Sequence, residues 1–476
     1  MLTRRSFIKA GGILTAGAVC SPALRSWAGG APETVQPVPT PAQLAWQEAE
    51  LGVLFHFDPR IFNADHGYQS LQPACRHPLK DAKAYADKFN PEKLDANQWV
   101  ATAKAIGARF AILVVKHETG FCLWQSDANP FCLKNIPWRN GQADVLRDFV
   151  TACRREGIKP GIFTESRWNL QLGVYDHEVS PQSPLSQAEY NHLVEREVEE
   201  LCTRYGKLFE IWFDGGIRTP AQGGPDVLPI VERHQSEIVF SHSDQRRDVR
   251  WGGTETGTVH NPCWATVDRD KILTGTTARQ YLAQGDPAAR TWCPAMSDAP
   301  LRCQNGVHHW LWEPGGEQGV ASLAHLQEMY YGSVGRNSTL ILGLTPERSG
   351  LMPAADVARC REFGSWLTSA FLTKPLAHAA GSGMELVVVL PKSVHGPVTD
   401  IVLQENIRHG ERVRSFVVEV ETDGTWTQLF SGSCIGQKHI QQVSAADSRR
   451  FRLRILAADG TPEITMFSLH HQEVVK

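Results

Sequence analysis

Three polar side chains follow apolar runs in the first half of the chain. His56 follows residues 52–55, His117 follows residues 110–116, and Asp214 follows residues 209–213. A carboxylate at the end of a buried run is solvated, paired or functional, because burying it unpaired costs several kcal/mol. The position of Asp214 alone leaves open a structural ion pair or a helix cap.

A second carboxylate, Glu255, lies 41 residues after Asp214 in the glycine-rich stretch 249–257, VRWGGTETG. The glycines predict a loop, and a loop glutamate is usually a solvated surface charge. Two carboxylates that flank one site, however, are the machinery of glycoside hydrolysis. One attacks the anomeric carbon, while the other protonates the leaving oxygen and then activates water.

His56 and His117 stand alone, without an HxH or HExxH spacing, so the sequence predicts neither a metal site nor a cofactor. No GxGxxG or GxxxxGK motif follows any apolar run, which argues against a nucleotide ligand. As neutral donors and acceptors, the two histidines suit sugar hydroxyls. A metal-dependent hydrolase that uses them is the alternative.

Apolar runs that alternate with amphipathic helices would position these side chains. About seven or eight such units over roughly 300 residues favour a (β/α)₈ barrel of the α/β class over an open sheet. The predicted strands are 52–57, 110–115, 159–163, 209–214, 237–241 and 338–344. In a barrel, residues at the C-terminal ends of the strands line the site.

The strand over 209–214 alternates in a way that gives each side chain a direction. Glu210, Trp212 and Asp214 are expected to point into the barrel, and Phe209, Ile211 and Phe213 towards the covering helices. The sequence therefore predicts a carboxylate at the strand exit with an indole beneath it.

The sequence pattern changes after about residue 380. Short strand-like runs are separated by turn signals such as Asp423-Gly424 and Asp459-Gly460, which predict an all-β sandwich over 380–476. The barrel is assigned to 45–375, and the proline-rich stretch 29–44 is predicted to be a linker.

Residues 1–28 have the pattern of a secretory signal. Arg4 and Arg5 precede a short apolar stretch and a small-residue site, Ser26-Trp27-Ala28, which predicts a twin-arginine signal peptide and a periplasmic or secreted protein. Disulfides are permitted in that compartment, but the sequence does not show which cysteines would pair.

The amino-acid composition limits the classes of partner that the protein could bind. With 476 residues, 42% hydrophobic and 21% charged, the chain can bury a large core. The net charge of −3 argues against nucleic acid as the main partner. No apolar run reaches the roughly 18 residues needed to span a bilayer. The 14 tryptophans suit either sugar rings or a large aromatic core.

Four segments together resemble the α-L-fucosidases of glycoside hydrolase family 29. They are residues 50–57 (ELGVLFHF), 116–124 (KHETGFCLW), 210–215 (EIWFDG) and 250–255 (RWGGTE). With further matches the resemblance covers roughly residues 45–470 in the same order. It implies a barrel followed by a β-sandwich of the discoidin or carbohydrate-binding type.

The resemblance implies a role for each matching position. Asp214 matches the nucleophile, and Glu255 matches the acid/base of the branch that prefers α-1,3/1,4-linked fucose. Other matching positions imply contacts with the fucose: His56, His117, Trp124, Trp212, Arg302 and Trp312. The expected activity is retaining exo-hydrolysis of α-L-fucosides, without a cofactor, on fucosylated oligosaccharides or glycoconjugates.

Two segments depart from the family pattern. The family's KHHDGF is KHETGF here, which puts Glu118 in the motif, and the third strand ends FTES at 163–166. Glu118 or Glu165 is a candidate to replace the lost sugar contacts. The departures leave open an L-galactoside as the substrate, or a degenerate glycan-binding protein. Linkage and oligomeric state do not follow from the sequence.

Overall fold

Eight parallel strands form a barrel in the computed structural model, which describes residues 36–63, 71–273, 278–304, 307–394, 396–443 and 448–472. The predicted signal peptide, residues 1–28, lies outside the described residues. The barrel strands are Leu51–Phe55 (β1), Phe110–Lys116 (β2), Lys159–Thr164 (β3), Glu210–Phe213 (β4), Val239–Ser241 (β5), Arg250–Trp251 (β6), Ala295–Pro300 (β7) and Thr339–Leu344 (β8).

The strands follow one another around the barrel in chain order. Hydrogen-bonded pairs run β5-β4-β3-β2-β1-β8-β7-β6, all parallel. A parallel bridge between Ser241 and Val249 joins the two remaining edges. The predicted (β/α)₈ barrel is confirmed, and all strand C-termini meet at one end.

The α-helices in the described part of the chain are Pro41–Gln47 (α1), Ala82–Asp87 (α2), Ala96–Ala105 (α3), Val145–Glu156 (α4), Gln187–Arg204 (α5), Leu228–His234 (α6), Arg279–Gln284 (α7), Leu323–Gly332 (α8) and Ala354–Leu367 (α9). Helix α1 differs from the helices that pack around the barrel, because its Trp46 packs in the cluster of the barrel interior. Local sequence fixes their ends: Asp144 accepts a hydrogen bond from the backbone N–H of Arg147, and Gly157 ends α4 at a φ of 72°. Helix α1 begins inside the stretch predicted to be a linker, and its Gln43 and Leu44 are buried.

Strand β4 shows the predicted alternation. Trp212 packs in the cluster that fills the barrel interior, whereas Ile211 and Phe213 belong to the layer between barrel and helices. The prediction that Phe209 points towards the covering helices is wrong. Phe209 precedes β4 and packs against the interior cluster through Phe110, at a centroid distance of 5.3 Å.

Glu210 is a buried carboxyl inside the barrel. Its Oε2 accepts a hydrogen bond from Trp46 Nε1 at 2.9 Å, and its Oε1 accepts one from Ser241 Oγ at 2.5 Å. Burial raises the pKa of Glu210 from 4.5 to about 7. A raised carboxyl pKa means that the folded protein binds the proton of Glu210 more tightly than the unfolded chain does. The resulting contribution to the free energy of unfolding is complete below pH 4.5 and is lost as the pH rises through about 7.

We therefore expect Glu210→Gln to flatten the pH dependence of stability. The wild-type protein should lose up to about 3 kcal/mol between about pH 5 and about pH 8.5 through this group, and the variant should not. Thermal and urea unfolding at both pH values measure the difference. Glu328→Gln, whose parent side chain is 75% exposed, is the control. An equal loss of stability in wild type and Glu210→Gln would contradict the prediction.

The C-terminal residues form two antiparallel sheets. Their strands are Ala377–Ser382 (β9), Glu385–Val389 (β10), Asp400–Glu405 (β11), Val413–Thr422 (β12), Thr425–Gly432 (β13), His439–Gln442 (β14), Arg450–Ala458 (β15) and Glu463–His470 (β16). One sheet has the order β9-β16-β11-β14 and the other β10-β15-β12-β13. Apolar side chains of both sheets form one core, as expected for a sandwich.

Among the described residues, no helix is long and apolar enough to cross a bilayer. The ten cysteines in the described ranges form no disulfide, and Cys303 is the exposed one. The two-strand ladders are Val174–Tyr175 with Glu178–Val179, Thr266–Val267 with Thr291–Trp292, and Cys303–Gln304 with Val307–His308.

Candidate active site

A cavity of about 480 Å³ opens at the C-terminal end of the barrel. Asp214 and Glu255, the two carboxylates singled out from the sequence, both lie on its wall. Residues of three strands also lie on that wall: Trp212 of β4, Trp251 of β6 and Asp298 of β7. The structure therefore brings together the predicted pair and the predicted indole.

Asp214 is held at the exit of β4 by the backbone. Its N–H donates to the carbonyl of Thr164 on β3 at 3.1 Å, and its Oδ1 accepts from the N–H of Gly215 at 2.8 Å. Burial raises the pKa of Asp214 to about 6, and the charge of Glu255 also raises it. At neutral pH the carboxylate is thus mainly ionised, as a nucleophile must be.

Glu255 leans over the cavity from the loop after β6, with its side chain 44% exposed. Its Oε2 accepts a hydrogen bond from Trp310 Nε1 at 2.9 Å, and His308 Nδ1 lies 3.1 Å from the same oxygen. An added Cβ on Gly343 would lie 2.4 Å from the Trp310 ring, so glycine at that position of β8 leaves room for the indole. Two side chains thus orient a partly solvated carboxyl.

The variant Trp310→Phe should show whether Trp310 orients Glu255 through its hydrogen bond or acts through packing. Losing the indole donor should lower kcat/KM about tenfold for substrates with poor leaving groups, because their departure needs a well-placed acid. Aryl glycosides with activated leaving groups should lose much less. Steady-state kinetics on both classes provides the measurement, with Trp426→Phe on β13 as control. Equal losses on both classes would show that Trp310 acts through packing alone.

Asp298 is a third carboxyl on the cavity wall, and sequence reasoning missed it. Its Oδ1 accepts a hydrogen bond from Trp251 Nε1 at 2.8 Å. Burial raises the pKa of Asp298 well above its usual range, and the charge of Glu255 raises it further. The available signal was a lone acid inside the largely apolar run 292–301.

His56, His117 and Glu118 lie at the same end of the barrel, but they are not among the described residues that line the cavity. The two imidazole centroids are 5.5 Å apart, and burial lowers the pKa of both well below the usual value. Glu118 pairs with Arg60 at 3.1 Å and accepts from the N–H of Leu71 at 2.7 Å. In the described ranges no three His, Cys, Asp or Glu side chains converge as metal ligands.

Trp124 and Arg302 are not among the described residues that line this cavity, and their polar atoms have partners elsewhere. The Trp124 indole is buried and donates to Glu200 of α5 at 2.9 Å. The Arg302 guanidinium donates twice to the carboxylate of Asp356 on α9, at 2.7 and 3.1 Å, and both side chains are buried. The hydrogen bonds of each side chain therefore connect a segment after a barrel strand to a helix.

Trp312 is also outside the set of residues that line the cavity. The Cζ of Arg348 lies 5.8 Å from the centroid of its ring. Trp310, two residues earlier in the same segment, is the tryptophan that donates a hydrogen bond to Glu255.

A parallel β/α barrel whose C-terminal end holds two carboxyl groups on the wall of one cavity is typical of glycoside hydrolases that work by paired acids. The comparisons narrow this class. Residues 35–370 match the family model for alpha-L-fucosidase. The chain belongs to the α-L-fucosidases of glycoside hydrolase family 29, and it is a glycoside hydrolase.

Relatives and solved structures agree with this family. A rice (Oryza sativa subsp. japonica) chain assigned as alpha-L-fucosidase 1 is 30% identical, over 92% of this chain and 86% of that one. A crystal structure of a Bacteroides thetaiotaomicron protein assigned to the alpha-L-fucosidases is 42% identical, with a TM-score of 0.86, over 92% of this chain and 100% of that one. A Ruminococcus gnavus fucosidase of the same family, solved in complex with fucose, shares the fold at 21% identity, with a TM-score of 0.73 over 92% of this chain and 95% of that one.

Proposed function

We propose that the protein is an exported, retaining exo-α-L-fucosidase that acts by double displacement. Asp214 attacks the anomeric carbon of the fucose and forms a glycosyl ester, while Glu255 protonates the departing oxygen. Glu255 then takes a proton from water, which cleaves the ester. The observation that carries the proposal is that both acids line one cavity at the end of the barrel.

The surroundings of the two acids support these roles. Asp214 is fixed by the backbone of β3 and β4, which suits a nucleophile that must meet one carbon atom. Glu255 is on a loop and is partly exposed, which suits a group that exchanges its proton with leaving group and water.

We further propose a preference for α-1,3- and α-1,4-linked fucose. The support is the match of Glu255, in RWGGTE at 250–255, to the acid/base of the family branch with that preference. The substrates would be fucosylated oligosaccharides or glycoconjugates, with fucose as the terminal sugar. An L-galactoside is the competing glycone, because KHETGF at 116–121 departs from the family pattern.

A panel of substrates tests this proposal. Fucosyl oligosaccharides with α-1,2, α-1,3, α-1,4 and α-1,6 linkages are compared by kcat/KM, together with aryl α-L-fucoside and aryl α-L-galactoside. We expect the α-1,3 and α-1,4 substrates to be preferred, and proton NMR to show α-L-fucose as the first product. A preference for another linkage would contradict the assignment to this branch of the family. If the β-anomer were released first, the reaction would not be a double displacement.

We also propose export through the twin-arginine route, supported by Arg4 and Arg5 before the apolar stretch 10–19. Cell fractionation of wild type and of Arg4→Lys/Arg5→Lys tests it. The wild-type activity should be periplasmic or secreted, and the paired variant should stay inside the cell. Unchanged export of the variant would contradict the assignment.

A further inference from the structure

Glu165 is a buried carboxyl beside the nucleophile. Strands β3 and β4 pair in parallel with Thr164 opposite Phe213, so Glu165 and Asp214 are the next residues on neighbouring strands. The hydrogen bond from the N–H of Asp214 to the carbonyl of Thr164 keeps this register. The side chain of Glu165 is 0% exposed. Burial removes it from contact with a sugar, which corrects its candidate role as a replacement for lost glycone contacts.

The two oxygens of Glu165 have different surroundings. Oε1 accepts hydrogen bonds from the N–H groups of Arg167 at 2.5 Å and Trp168 at 3.2 Å. Oε2 is buried and has no donor among the described residues. Asp214 is the neighbour left to pair with Oε2, because the strand register places it next to Glu165 and the pKa of each carboxyl responds to the other. A hydrogen bond between two carboxyl groups requires a proton on one of them, because an ionised carboxylate only accepts.

The surrounding charges decide which carboxyl holds that proton. Burial raises the pKa of Glu165 well above its usual value, and the charge of Asp214 raises it further. The pKa of Asp214 is raised only to about 6, and the hydrogen bond with Glu165 lowers it. The nearby guanidinium of Arg167 does not neutralise Glu165, because it donates to Asp176 at 2.7 Å and to the carbonyl of Gly215 at 3.1 Å.

Other titratable groups around the pair are mostly acidic or neutral. Those that interact with Glu165 or Asp214 are Cys75, Glu118, Tyr190, Glu255 and Asp298. Added negative charge at Glu165 would therefore meet several negative neighbours, which favours its neutral form.

We propose that Glu165 is a positioning residue that, in its neutral form, donates a hydrogen bond to Asp214 and keeps this nucleophile ionised and aimed at the anomeric carbon. The proposal rests on the nucleophilic role of Asp214 proposed above. The proton stays on Glu165 throughout the cycle. Asp214 forms its bond to the anomeric carbon as the bond to the leaving oxygen breaks, and the protons that move are those of Glu255 and water.

Glu165→Gln and Glu165→Leu separate this role from a charge effect. The Gln amide still donates to Asp214 and still accepts from the two backbone N–H groups. Its kcat/KM for an aryl α-L-fucoside should stay within about threefold of wild type, with an unmoved acidic limb of the pH profile. The Leu variant offers no donor, so kcat should fall at least about tenfold and the acidic limb should move up by about one pH unit.

Two results would overturn the proposal. A shift of the acidic limb to lower pH in Glu165→Gln would mean that an ionised Glu165 repels Asp214 in the wild type. An unmoved limb in a folded Glu165→Leu would mean that no donor is lost. Glu210→Gln, which changes a buried carboxyl that does not line the cavity, is the matched control and should leave the limb in place.

A spectroscopic arm keeps the test valid if Glu165→Leu does not fold. The infrared difference between wild type and Glu165→Gln at neutral pH should show one carboxylic acid C=O band lost, and loss of a carboxylate band instead would overturn the proposal. Failure of the nucleophile assignment is recognised separately: azide would then give no glycosyl azide with Asp214→Gly, whatever the Glu165 variants do.

Discussion

Asp214→Gly should lower kcat/KM for an aryl α-L-fucoside by at least about a thousandfold. The backbone of β3 and β4 fixes Asp214 at the strand exit, and water cannot reproduce a nucleophile held in that position. Removing the side chain also opens space on the face from which it attacks. Added azide should enter that space, restore turnover and give the β-L-fucosyl azide. Steady-state kinetics and NMR of the product are the measurements.

Asp226→Gly is the matched control for this change, because Asp226 is an exposed aspartate in the loop before α6. It should keep wild-type rates, with no effect of azide. If Asp214→Gly itself kept near wild-type rates, or lost activity without azide rescue while still folded, then Asp214 would not be the nucleophile.

The barrel could be predicted from the sequence because most of its strands are continuous apolar runs buried on both faces. Strands β6 and β7 escaped prediction for opposite reasons. Strand β6 is only Arg250–Trp251, inside a stretch predicted to be a loop, and β7 carries Ser297, Asp298 and Pro300 among its six residues. Both contribute cavity residues, so the site lies where the apolar pattern is interrupted.

The direction of Asp214 could also be predicted, because alternation along a strand fixes which side chains face the barrel interior. The partners of Glu255 could not. His308 and Trp310 lie more than 50 residues away in the chain, on a segment without regular periodicity. The acidic partners of Trp124 and Arg302 could not be predicted for the same reason, since they are 76 and 54 residues away. Such pairings depend on tertiary structure.

Glu255→Ala should show an effect that depends on the leaving group. For fucosyl oligosaccharides kcat/KM should fall at least about a thousandfold, because a sugar alkoxide leaves only when it is protonated. An activated aryl fucoside, whose leaving group needs little protonation, should still form the ester with Asp214 and then accumulate it, since no base activates water. Pre-steady-state kinetics should show a burst of released phenol, which wild type should lack.

Azide distinguishes the role of Glu255 from that of Asp214 by stereochemistry. In Glu255→Ala it should attack the ester on Asp214 and give the α-L-fucosyl azide, with net retention, whereas Asp214→Gly should give the β-product by a single inversion. Glu317→Ala, which removes an exposed glutamate outside the cavity lining, should give neither product. The same anomer from both variants would show that the two acids do not act in sequence on opposite sides of one sugar.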